Sequence, residues 1–334
     1  DWSSDVCSSD LAILRVKILV MLNGQSDGME RSYSWLRVGL TAIIALTFFT
    51  ISPPSFGAEQ PLKVVTTIKP IHSILSNLLI GSRAPELLIQ GEDLPYNYKL
   101  TSLQKNTIKE SDLVVWIGPE LEDFMEKPLS KLNSNTTVFT LLDQVELKVL
   151  PSRWDSKLRD PFIWLDSRNM LILTDELTRL LIRLDPASTT LYEKNRKQLL
   201  YRLAGLDRQL EYGYRGMQSG IGMSYYDTLQ YFEQSYALKL HGSVARSPLH
   251  PMGGLSLLES RAKLDSGDFN CLLTEQQIKP TDLALLLDKA KDQLKGELNI
   301  SKLDSFGVNI PAGNDHYFKL MKINTATIKR CLQH

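Results

Sequence analysis

The stretch DLVVWIGPELEDFMEKPLSKLNSNTTVFTLL, Asp112 to Leu142, decides the fold class. DLVVWIG is a continuous apolar run between an acid and a glycine, the pattern of a strand buried on both faces in a parallel sheet. LEDFMEKPLSKL then reads as an amphipathic helix and TTVFTLL as the next strand. Upstream the alternation is the same. LKVVTTI (Leu62 to Ile68) is a β-branched strand, Pro70 to Leu79 a helix, PELLIQG a strand, and Thr101 to Glu110 a polar helix. Strands and helices in this order predict an α/β lobe with a parallel sheet.

Downstream, the polar and aromatic loop Asp143 to Asp160 leads to FIWL, and residues 167 to 184 form one helix stopped by Asp185 and Pro186. Residues 187 to 218 carry leucines and tyrosines at spacings of three and four, which predicts a helix of about 45 Å, long enough to link two lobes. The alternation then resumes with GIGMSYY as strand, DTLQYFEQSY as helix, ALKLHG as strand and LSLLESRAKLD as helix. FNCLLTE is the next strand, PTDLALLLDKAKDQL a helix, KLDSFGVNI a loop and strand, and NDHYFKLMKINTATIKRCL the last helix. The predicted fold class is therefore α/β, two parallel-sheet α/β lobes joined by one long α-helix. The N-terminal lobe is placed at 59–186, the linking helix at 187–218 and the C-terminal lobe at 219–334.

The opening DWSSDVCSSDL resembles translated adapter sequence, so residues 1–28 are read as a non-native or untranslated extension with Met29 as initiator. Residues 29–58 have the pattern of a signal peptide. Arg31 and Arg37 precede the 14-residue run VGLTAIIALTFFTI, and small residues follow at Ser55, Gly57 and Ala58. A spanning helix needs about 20 apolar residues, so this run predicts a cleaved leader and a secreted protein. Lys plus Arg and Asp plus Glu both total 38, which gives no basic surface for nucleic acid. Beyond Cys7 the chain has two cysteines, Cys271 and Cys331. In an oxidising compartment they are either a bridge or two buried thiols.

LPYNYKL (Leu94 to Leu100), DPFIWLD (Asp160 to Asp166) and YYDTLQYFEQSYAL (Tyr225 to Leu238) stand in order with TIKPI, DLVVWIGPELEDFMEKPLSKL and CLLTEQQIKP. Together these segments resemble the periplasmic solute-binding proteins of zinc and manganese ABC transporters, and in particular the zinc-uptake branch. The resemblance implies a cargo cleft between the lobes, a linking helix that limits their motion, and an ABC permease and its ATPase as partners. It also implies a disulfide from a C-lobe strand to the last helix, which FNCLLTE and IKRCLQH match, and a protein acting as a monomer. In that family each of the first three segments carries a metal-binding histidine, and a carboxylate of the second lobe is the fourth ligand. Here Tyr96, Phe162 and Tyr226 stand at the histidine positions, and Asn309 or Ile310 at the carboxylate. Zinc is the expected cargo from the resemblance, yet its ligands are missing. Phe162 has no donor atom, and a phenol of pKa near 10 is a poor zinc ligand at neutral pH.

Of the other polar candidates, Glu275 matches a family glutamate at the cleft, with a hydrogen bond fixing the strand-to-helix loop as the alternative. Asp227 reads as a helix cap. His72 reads as a partly buried, hydrogen-bonded residue and His316 as solvated, while His241 and His250 flank a turn and could meet at the cleft. Three readings suit the aromatic trio Tyr96, Phe162 and Tyr226, with Tyr98 and Trp164 nearby. Paired tyrosinates would suit ferric iron, stacked rings an organic ligand, and packed rings a hollow left by a lost metal. The leading function is a solute-binding component that delivers a small ligand or metal ion to a permease. The alternative is a non-metal-binding paralogue acting as a binding or regulatory module. No G-x-S-x-G, H-E-x-x-H or P-loop is present to suggest an enzyme.

Overall fold

The computed structural model of the protein describes residues 60–215, 222–238, 240–288 and 298–333. The expected extension (1–28), leader (29–58), end of the linking helix (216–218), tail of the DKAKDQL segment and His334 lie outside them.

Two four-stranded parallel sheets form, with matching strand orders β2-β1-β3-β4 and β6-β5-β7-β8. The first holds β1 (Val64–Thr66), β2 (Glu86–Leu87), β3 (Leu113–Trp116) and β4 (Thr137–Thr140). All of β1 and β3 is buried, as continuous apolar runs require. Between the strands lie α1 (Lys69–Leu78) and α2 (Ser102–Lys109). Thr101 and Gln104 close the start of α2 with a reciprocal capping box.

The predicted helix after β3 is instead broken into α3 (Pro119–Glu122), a 3-10 turn at Asp123–Met125, and α4 (Glu126–Leu129). The Glu122 carboxylate folds back to accept the Ile117 amide at 2.8 Å, and Pro128 removes a further helical donor.

α5 (Ser167–Leu184) has the predicted bounds, because Asp166 caps it at Arg168 N and Asp185 ends it before a proline. A 3-10 turn then leads into α6 (Thr189–Tyr214), a helix of about 39 Å at 1.5 Å per residue. It is shorter than predicted, since Arg215 leaves in an extended conformation. Its buried stripe of Tyr192, Asn195, Leu199, Leu203, Leu206, Leu210 and Tyr214 keeps the spacing of three and four. Asn195 donates to the carbonyls of Leu78 and Ile80 at the end of α1. Tyr214, at the other end, packs on Phe232 and Tyr236.

The second sheet holds β5 (Gly222–Tyr226), β6 (Leu240–Ala245), β7 (Cys271–Glu275) and β8 (Asn299–Leu303). Its helices are α7 (Gln230–Tyr236), α8 (Gly254–Ser266), α9 (Pro280–Leu287) and, at the chain's end, α10 (His316–Leu332). Two predicted strands shift. β6 starts three residues late because Ala237 takes a left-handed conformation to end α7. β8 is NISKL rather than the segment ending VNI, because Asp304 accepts the amides of Gly307 (2.7 Å) and Val308 (3.1 Å) and turns the chain.

Cys271 in β7 and Cys331 in α10 form a disulfide, as the resemblance implied. It closes a loop with a sequence separation of 60. Cross-linking a loop of that length stabilises by about 4 kcal/mol on the chain-entropy model. Replacing both cysteines by serine should therefore lower the thermal midpoint by about 10 °C, measured by circular dichroism under oxidising conditions.

Candidate functional site

The cleft lies where the carboxyl ends of both sheets meet. Its centre is occupied by a ring that sequence reasoning did not single out, Phe306, on the loop after β8. Phe306 is 4% exposed. It stands edge-on to Tyr96 at 5.7 Å between centroids, 5.8 Å from Phe162 and 5.4 Å from Trp164. Phe162 and Trp164 pack on each other at 5.3 Å. These separations and inclined planes are those of favourable aromatic pairs. The socket is fixed by Trp164, whose indole N–H donates to the Ser305 carbonyl at 2.9 Å and whose own carbonyl accepts from the Tyr317 hydroxyl at 2.9 Å. Thus Tyr96 and Phe162 are brought together around Phe306, while Tyr226 packs on Tyr225 in the C-lobe core.

The phenol of Tyr96 is buried at its tip and has no hydrogen-bond partner among the described residues. Burial, followed by the nearby Glu275, Tyr226 and Asp160, holds it well above the usual phenol range. That direction opposes a tyrosinate. Burial also pushes Tyr226 up to about 12.

Glu275, at the end of β7, is committed within its own lobe. The hydroxyls of Thr228 and Ser305 donate to it, as does the Ser305 amide at 3.3 Å. Burial outweighs these bonds and pushes its carboxyl up to about 7. Asp160, which accepts the Phe162 amide at 2.9 Å, is pushed up to about 8, chiefly by burial.

Asp227 is not the predicted cap, since α7 begins without a side-chain cap. It forms an ion pair at 3.4 Å with Arg153, which also pairs with Glu233. Arg153 belongs to the loop before FIWL, so these pairs join that loop to the C-lobe. Tyr231 reinforces the join by donating to the Asp160 carbonyl and accepting the Leu150 amide, both at 2.9 Å.

The remaining candidates do not converge. Asn309 is exposed and Ile310 buried, well past the end of β8; the carboxylate beside that strand end is Asp304. Its oxygens serve the turn at Gly307 and Val308, and the D-S-F-G spacing was the available signal for that turn. His316 is buried rather than solvated. Its Nε2 lies 3.1 Å from the Phe306 carbonyl and its Nδ1 3.3 Å from those of Ile310 and Pro311. Gly307, at φ +70°, must be glycine because a Cβ there would strike the His316 ring. His72 is half-buried, its Nε2 3.2 Å from the Pro85 carbonyl. His250 reaches the cleft, but His241 sits at the opposite end of β6, so the two do not meet.

Among the described residues no group of three or more His, Cys, Asp or Glu side chains could hold a metal ion. What remains open is a cavity of about 50 Å³ bordered by Tyr96, Asp160, Phe162, Asp227 and His250. It has room for a few water molecules.

The family described as zinc-uptake complex component A, periplasmic (ZnuA), matches residues 64–331. The chain belongs to this family. The high-affinity zinc uptake system protein ZnuA of Brucella abortus is 25% identical over 310 residues, 80% of this chain and 91% of that protein. ZnuA of Yersinia pestis is 23% identical over 330 residues, 91% and 100% of the two chains. The periplasmic zinc-binding protein TroA of Treponema pallidum has the same fold, with a TM-score of 0.71 at 21% identity over 82% of this chain and 99% of that one. The protein FpvC of Pseudomonas aeruginosa, solved with Mn²⁺, gives a TM-score of 0.69 at 18% identity over 82% and 99%. In this ZnuA-family chain Tyr96 and Phe162 meet around Phe306, while Tyr226 lies in the C-lobe core.

Phe306→Ala should destabilise by about 3–5 kcal/mol in urea unfolding and shift Trp164 emission to the red as water enters the socket. The buried carboxyls give the opposite of the usual acid response. A carboxyl whose folded pKa is raised holds a proton that the unfolded chain releases, so its contribution to stability is greatest in acid. That contribution declines as pH rises from about 4 towards 8 for Asp160 and towards 7 for Glu275. Asp160→Asn should flatten this decline, measured as unfolding free energy at several pH values between about 5 and 8.

Proposed function

We propose that the protein is a periplasmic component of a ZnuA-type ABC uptake system, working with a permease and its ATPase, whose cleft does not hold zinc at the family's histidine positions. The family match over residues 64–331 supports the first part. The observation that carries the second is Phe306, which fills the space between Tyr96, Phe162 and Trp164. Zinc needs about four nitrogen, sulfur or carboxylate donors near 2.0–2.3 Å, and a benzene ring offers none.

Of the three readings of the aromatic trio, packing of a hollow has the most support. An organic ligand needs a pocket of about 300–1,000 Å³, far above the 50 Å³ at the cleft. Ferric iron needs tyrosinate, which burial and neighbouring acids oppose at Tyr96. Any cargo handed to the permease would have to use a state in which Phe306 has left its socket, or a different surface.

Competitive titration of the purified, metal-stripped protein with zinc, manganese and ferric iron against chromophoric chelators tests this. The expected result is no one-to-one site tighter than about 1 μM for any of the three. A stoichiometric zinc site tighter than that would restore metal carriage and overturn the reading of the cleft.

A further inference from the structure

A groove of about 540 Å³ runs between α2 and α4 on the N-terminal lobe, and five lysines border it. Lys105 and Lys109 come from α2, Lys127 and Lys131 from α4 and the turn after it, and Lys99 from the segment entering α2. Lys105 and Lys109 are spaced by four residues on α2, which puts both on one face, where like charges repel. All five are exposed. Among the described residues none has a carboxylate within ion-pairing distance; the lysine that does is Lys148, with Asp166. In a chain of formal net charge zero this is a local excess of positive charge that the fold leaves unneutralised. The floor is apolar. Tyr98 and Phe124, both half-buried, lie there with ring centroids 5.4 Å apart.

We propose that this groove docks an acidic polypeptide segment carrying an apolar side chain. The charge sets the sign of the partner, and the aromatic floor sets the need for a side chain to cover it. The chemistry favours carboxylates over phosphate. Lysines are mobile point charges without the planar fork that clamps a phosphate bidentately. Lys109 also stands at the last turn of α2, where carbonyls rather than amides face out, so that end offers no amide cradle for a phosphate. The apolar groups are recessed between the lysines, whereas a membrane surface is engaged by protruding ones. The inference does not depend on what the cleft carries. If the uptake-system reading holds, an acidic periplasmic loop of the permease is the natural carrier of such a segment, and that identification alone rests on it.

The test is fluorescence anisotropy with a labelled peptide of alternating glutamate and aspartate around one central phenylalanine, titrated with the full chain. Binding should weaken as salt rises from about 50 to 300 mM, and weaken again when the phenylalanine is replaced by glycine. The double variant Lys105→Glu with Lys127→Glu should lose about 10-fold or more in affinity. The charge-matched control on α6, Lys194→Glu with Lys197→Glu, should lose less than about 2-fold. All four positions are exposed, so both variants should keep the parent circular dichroism spectrum. Absence of binding by the parent chain, or equal losses in the two variants, would overturn the proposal. So would tighter, Lys105-dependent binding to vesicles of phosphatidylglycerol and phosphatidylethanolamine, which would make the surface a lipid contact.

Discussion

Phe306 crosses from the loop after β8 into a socket made by Tyr96, Phe162 and Trp164, and this contact anchors one lobe on the other. The loop is held rigid on both sides. Ser305 accepts from the Trp164 indole and donates to Glu275, while the Phe306 carbonyl lies beside His316. Beside this ring the Tyr96 hydroxyl is buried without a hydrogen-bond partner among the described residues. Tyr96, Phe162, Trp164 and Phe306 thus form one packed set of rings.

Around the socket, charge is either paired or suppressed. Arg153 answers Asp227 and Glu233, which lie within reach of the buried Asp160. Asp160, Glu275 and, beneath β3, Glu122 sit where burial favours the protonated form. α6 gives the arrangement its frame, with Asn195 bound to the end of α1 and Tyr214 wedged against α7.

Much of this was legible in the residues. Continuous apolar runs located β1, β3 and β7, and the acid and proline bracketing 167–184 fixed α5, because those signals act over a few neighbouring residues. The bridge from Cys271 to Cys331 was implied by the family resemblance, the residues alone leaving a bridge or two buried thiols open. What escaped was non-local. A phenylalanine in a loop has no periodicity to announce the socket it will enter. A histidine satisfied by carbonyls, as His316 is, looks in sequence like an exposed one. The position of β8 was missed because the apolar VNI outweighed the turn chemistry of D-S-F-G. The helix after β3 was overcalled because its pattern is amphipathic, although Glu122 bonds back to Ile117 and breaks it.

The union of α1 with the segment before and into α10 has a kinetic meaning. Lys69 donates to the carbonyls of Val308 and Ile310, Ser73 and Asn77 to that of Asn314, and the Tyr317 amide to Ser73. These partners are about 240 residues apart in sequence. A chain emerging from its N-terminus therefore makes α1 long before anything exists to satisfy that face. Its first lobe stays an open, incomplete body until the final stretch arrives. Such ordering slows folding, since distant closures come last.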